Sequence, residues 1–74
     1  MGIAASEKQM KDAFRTAYSF LEKHNTTLGK PEEYQAVVRD IASEYVKRGG
    51  DNLTTRLIMA VYDYICDVSK GDAN

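Results

Sequence analysis

The sequence predicts an all-α fold, a three-helix bundle running up-down-up with antiparallel neighbours, and three observations lead to it. Apolar residues recur at helical spacing in three segments, 7–24, 32–48 and 53–69. Two short breaks containing glycine, Asn25–Lys30 and Gly49–Asn52, separate them. The segments are nearly equal, each about 25 Å long at 1.5 Å per residue. Links of four and six residues between helices of equal length favour antiparallel packing.

The first helix has a clear start. Ser6 is a good N-cap, and Gln9 three residues later allows a capping box. Glu7 in the first turn and Lys23 with His24 in the last suit the helix dipole. Met10, Ala13, Phe14, Ala17, Tyr18 and Leu21 form one apolar stripe, the expected core face. Lys8, Lys11, Asp12, Arg15, Glu22 and Lys23 occupy the other side.

Leu28 is the large apolar residue of the first break, and it is expected to tuck against a helix end. Pro31 suits the opening position of the second helix, where its missing N–H costs nothing, and Glu32 and Glu33 follow at the positive end of the dipole. Tyr34, Val37, Val38, Ile41, Ala42, Tyr45 and Val46 make the second stripe, with Lys47 and Arg48 closing the helix. Gly49 is placed to take the left-handed conformation that ends many helices.

Asp51 or Asn52 caps the third helix and Gly71 ends it. Leu53, Leu57, Ile58, Val61, Tyr64, Ile65 and Val68 give an ordinary core stripe. Met59, Tyr62 and Cys66 extend the apolar surface further around, over roughly two-thirds of the circumference at ~100° per residue. Such a helix is either central or meets something else. Residues 1–5 and 72–74 are expected to be flexible ends of a single domain.

Composition narrows the function. The 74 residues lie near the lower limit for a self-sufficient core. A lone cysteine, Cys66, forbids an internal disulfide, and with His24 the only histidine no ordinary zinc site can be assembled. The free thiol fits a reducing compartment, and neither a secretory signal nor an apolar run long enough to span a bilayer is legible, so a cytoplasmic location is expected. The formal charge is −1, without the basic excess of a dedicated nucleic-acid binder. Residues 1–30 carry five basic and three acidic side chains, and residues 31–74 five and eight, a tilt too slight to name a partner.

Several motifs fall to simpler explanations. Met1-Gly2-Ile3-Ala4-Ala5-Ser6 matches the N-myristoylation pattern, which would place a fatty chain on Gly2 in a eukaryotic cell, with Lys8, Lys11 and Arg15 as a second membrane signal. The competing reading is that Ser6 is only a helix cap. Asn25-Thr26-Thr27 and Asn52-Leu53-Thr54 match the glycosylation acceptor, yet helix-end and capping roles suffice. His24 is expected to serve free carbonyls at its helix end, and Cys66 to act as a small apolar side chain. Gly49-Gly50-Asp51-Asn52-Leu53 before an apolar helix resembles in outline the attachment motif of acyl carrier proteins, whose serine bears phosphopantetheine. Asn52 stands at the serine position and its amide cannot form that phosphodiester, so no cofactor is expected.

With no paired acid and base, metal cluster or phosphate-cradling loop, the expectation is a non-enzymatic module. Its contact surface is expected on the third helix, at Met59, Tyr62 and Cys66 joined by Phe20, and its partner is a second copy or another protein. The alternatives are a small nucleic-acid-binding domain, using Lys8, Lys11 and Arg15 with Lys47 and Arg48 nearby, and a lipid-anchored adaptor. A recognition helix is poorly supplied, since the third helix offers Asp63 and Asp67 where a DNA reader needs donors and cations.

Overall fold

A computed structural model describes residues 2–71; they hold three α-helices and no strand. Helix α1 spans Glu7–His24, α2 Pro31–Lys47 and α3 Leu53–Ser69. The flexibility expected of Met1 and of 72–74 lies outside the described residues, as does the Met1 removal that lipidation requires.

The helix ends follow local chemistry. The Ser6 Oγ accepts the Gln9 N–H at 3.1 Å, and the Gln9 Oε1 accepts the Ser6 N–H at 2.8 Å, the reciprocal box expected from sequence. Helix α2 opens at Pro31, the position expected for that residue, and ends at Lys47, one residue short of the 32–48 segment; the Glu33 carboxylate accepts the amides of Gly29 and Lys30. It ends in a Schellman turn: Gly50 N–H returns to Tyr45 O at 2.8 Å and Gly49 N–H to Val46 O at 3.2 Å. Gly49 and Gly50 both take positive φ, 81° and 112°, where a side chain would be strained. Asn52 caps α3, trading bonds with Thr55, while Asp51 pairs with Arg56.

Helix α1 packs along α3, and their contact carries most of the core. Ala17 and Phe20 of α1, Leu28 of the connector, Val37 of α2, and Ile58 and Ile65 of α3 form the buried cluster. Leu21, Tyr34, Ile41, Leu57, Val61 and Tyr62 pack around it. Leu28 is anchored as expected. Its N–H donates to Ser69 Oγ at 2.7 Å, its carbonyl accepts the Tyr34 hydroxyl, and Ser69 in turn bonds Ile65 O. Helix α2 lies on α3 by a narrower strip, with Val37 its one buried residue. It reaches α1 through polar bonds, Asp40 to His24 and Arg48 to Thr16.

Helix α1 is turned relative to its sequence pattern. Ala13, Ala17 and Phe20 are buried, whereas Phe14 and Tyr18, expected in the core, are 60% and 65% exposed. Alanines on the contacting stripe let two helices approach closely, and the closer packing outweighs burial of the bulkier neighbouring stripe. In α2 too, part of the expected stripe is exposed: Val38, Tyr45 and Val46 lie in water beside buried Val37, because α2 meets α3 only along a narrow strip. The molecule's least dimension is 19 Å, under two helix diameters of about 10–12 Å, so every helix keeps a broad face in water.

Candidate functional site

Turning α1 toward α3 along its alanines leaves the large side chains of both helices on one outer face. Phe14, Ala17, Tyr18 and Leu21 of α1 meet Leu57, Ala60, Val61 and Tyr64 of α3 around an open groove of about 560 Å³. The i, i+3, i+4 spacing within each set makes two parallel ridges of apolar side chains, with the groove between them. Met10 is half exposed one turn before Phe14, on the same stripe of α1. No ionisable group other than the two tyrosine hydroxyls lines the groove, so it offers contact area rather than chemistry.

The residues expected to form the contact surface do not lie together. Phe20 is 7% exposed and belongs to the core, because it lies on the side of α1 that faces α3. At ~100° per residue, Met59 and Cys66 lie on the side of α3 opposite to Leu57 and Tyr64. Met59 is about half exposed there, while Tyr62 and Cys66 are half-buried, Tyr62 against the core cluster. The neighbouring Cys66 side chain and then partial burial push the Tyr62 phenol above its usual value of 10.

The basic residues are likewise divided. Lys8, Lys11 and Arg15 are exposed on α1, and Lys11 pairs with Glu7 at 3.1 Å. Lys47 and Arg48 line a polar cleft of about 670 Å³ with Gln9, Asp12 and Asn52. Arg48 is already engaged there, its Nε 2.8 Å from Glu44 Oε2 and its Nη2 donating to Thr16 Oγ1 at 3.1 Å. Gly2 and Ile3 are exposed ahead of α1.

Between α1 and α2 runs a polar seam. Asp40 Oδ2 lies 2.8 Å from both Lys23 Nζ and His24 Nε2, and the His24 ring packs on Phe20 with centroids 4.7 Å apart. Hydrogen bonds from Lys23 and then His24 hold the Asp40 carboxyl below its usual value of 3.8. His24 therefore ties two helices together rather than serving free carbonyls at its own helix end, the role expected from sequence. A cleft of about 320 Å³ opens beside this pair, lined also by Thr16, Ser19 and Ser43, but its charged groups already satisfy one another.

Among the described residues, no buried side-chain polar atom lacks a hydrogen-bond partner, and no cluster of three or more metal-ligating side chains occurs. No described helix is long and apolar enough to cross a membrane. Sequence reasoning missed the α1/α3 face because Phe14, Tyr18, Leu57 and Tyr64 read as core at helical spacing. The pair Ala13 and Ala17, four residues apart beside Phe20, was the available signal for the other orientation. Comparison with protein-family models, curated proteins and solved structures finds no match for this chain.

Proposed function

We propose that this protein is a non-catalytic, cytoplasmic protein-docking module whose contact surface is the apolar face shared by α1 and α3. One observation carries the reading: Phe14, Tyr18 and Tyr64, three of the chain's largest side chains, are at least 60% exposed around one groove. Contiguous apolar surface of this kind is costly to leave in water, and tyrosine-rich apolar surface is typical of contact sites. The helices run up-down-up in this reading. Its supports are the bond of Asp40 to His24 at the C-terminal end of α1, that of the later residue Arg48 to Thr16 halfway back along α1, and the Leu28 amide on Ser69 beyond the C-terminal end of α1.

No observation favours a second reading on the basic residues, since Arg48 is engaged by Glu44 and Thr16 and Asp12 shares the cleft with Lys47. The test is the double variant Phe14→Ser/Tyr18→Ser. At submicromolar concentration the wild type should bind an apolar naphthalene-sulfonate dye, and the variant should keep its helical circular dichroism while losing the dye. An unfolded variant would make the face part of the core and overturn the proposal.

A further inference from the structure

The apolar face has a charge pattern along its borders, and that pattern points to an occupant. On α1, Lys11, Arg15, Tyr18 and Glu22 follow one another at helical spacing and form the outer border of the groove, which Tyr18 also lines. On α3 the matching ridge is Arg56, Ala60, Asp63 and Asp67, at the same intervals of four, three and four residues. All six charged side chains are exposed. Both ridges are basic toward the helix N-termini and acidic toward the C-termini.

The levels of these charges are self-complementary. The groove-lining stretch of α1, Phe14 to Leu21, is centred between Ala17 and Tyr18, and that of α3, Leu57 to Tyr64, between Ala60 and Val61. At 1.5 Å per residue, Lys11 and Arg15 lie about 10 and 4 Å before the centre of α1, and Glu22 about 7 Å after it. On α3, Arg56 lies about 7 Å before the centre, and Asp63 and Asp67 about 4 and 10 Å after it. A two-fold axis through the centre and across the helices sets α1 against α1 of a second copy, antiparallel, and α3 against α3. Glu22 of one copy then falls between Lys11 and Arg15 of the other, and Arg56 between Asp63 and Asp67. Both borders match at once.

The alternative two-fold, parallel to the helices, lays the α1 border over the α3 border at equal heights. It sets Lys11 and Arg15 against Arg56, and Glu22 against the two aspartates. Like charges facing each other disfavour that arrangement. Lys11 is held within its own chain by one exposed contact to Glu7, and Arg56 by two bonds of 2.9 Å to exposed Asp51; both cations stay in solvent, where pairing with a partner's carboxylates competes with these bonds.

We infer that the occupant of the α1/α3 face is a second copy of this chain, docked antiparallel about a two-fold axis at Tyr18 and Ala60, so that apolar ridges meet and the charged borders pair. The inference rests on the docking reading above and is tested by sedimentation equilibrium at low salt. The wild type should dimerise. Glu22→Lys should weaken the dimer about tenfold in Kd, because the α1–α1 border then sets a lysine of each copy against Lys11 and Arg15 of the other. The triple variant Glu22→Lys/Lys11→Glu/Arg15→Glu should restore it. A wild type that stays monomeric to millimolar concentration overturns the second-copy assignment. If Phe14→Ser/Tyr18→Ser is nonetheless folded and loses dye binding, the docking reading stands. A dimer indifferent to Glu22→Lys, or not rescued by the triple variant, overturns the antiparallel arrangement.

Discussion

Helix α1 shows two neighbours different faces held by different physics. Toward α3 it presents Ala13, Ala17 and Phe20 in a buried, apolar seam; toward α2 it presents Thr16, Lys23 and His24, hydrogen-bonded to Arg48 and Asp40. The first seam holds through area removed from water, at about 25 cal/mol per Å². The second holds through charge-assisted hydrogen bonds near the surface, where solvent and salt screen them. The contrast teaches where this molecule keeps its stability and which part of it can be altered cheaply: α1 and α3 form the rigid unit, and α2 is fastened to it more lightly.

The sharpest test of that contrast compares residues on opposite sides of the same apolar seam. Ile58 is fully buried and Phe20 nearly so, and truncating either to alanine should cost about 3–4 kcal/mol, enough to unfold much of so small a domain in urea titrations. Replacing exposed Tyr18 with serine should shift monomer stability by no more than about 0.5 kcal/mol. Equal losses at Phe20 and Tyr18 would mean that the apolar face is closed within the monomer.

A smaller effect is expected at the turn that carries α2 into α3. Asn52 accepts the Thr55 amide and its N–H donates to Thr55 Oγ1, so Asn52→Ala should cost about 1 kcal/mol by thermal denaturation. The loss belongs to the start of α3 and should appear first as faster hydrogen exchange there. A loss below the error of the melt would show that packing of Thr55 alone fixes that turn.

The polar seam gives the smallest effect, and its signature is pH dependence. The Asp40 carboxyl is held below 3.8 by Lys23 and His24, so the stability it contributes is fully present above that value. It disappears as pH falls through the lower folded-state value. The gap between wild type and Asp40→Asn should be under about 1 kcal/mol near neutrality. It should close in acid and narrow in molar salt. A gap that persists at low pH would assign the effect to packing of the carboxamide rather than to the ion pair.

Much of this was legible in the residues. Capping side chains act over three or four positions, so Ser6 with Gln9, Gly49 and Asn52 announced the helix ends to within a residue. Leu28, alone among polar neighbours, had one plausible fate and met it. The rotation of α1 was not legible in the same way. Its apolar arc runs from Phe20 through Ala17 to Phe14 and Tyr18, wider than one neighbour can cover, and periodicity gives every residue of the arc equal claim. Only three-dimensional packing chose the alanine side. That choice decides whether Phe14 and Tyr18 are core or contact surface, and it moved the candidate site from Met59 and Tyr62 to the opposite side of α3.

The anchoring of Leu28 has a consequence for the order in which the chain folds. Its amide is held by Ser69, forty-one positions later and in the last turn of α3. During synthesis the link between α1 and α2 therefore has no fixed seat until Ser69 has emerged. The first two helices are joined to each other mainly by screened polar bonds and wait for the third to organise them. A nascent chain cut short before Ser69 loses the seat of its first link as well as the last turn of α3, so the three helices settle together once that turn is made.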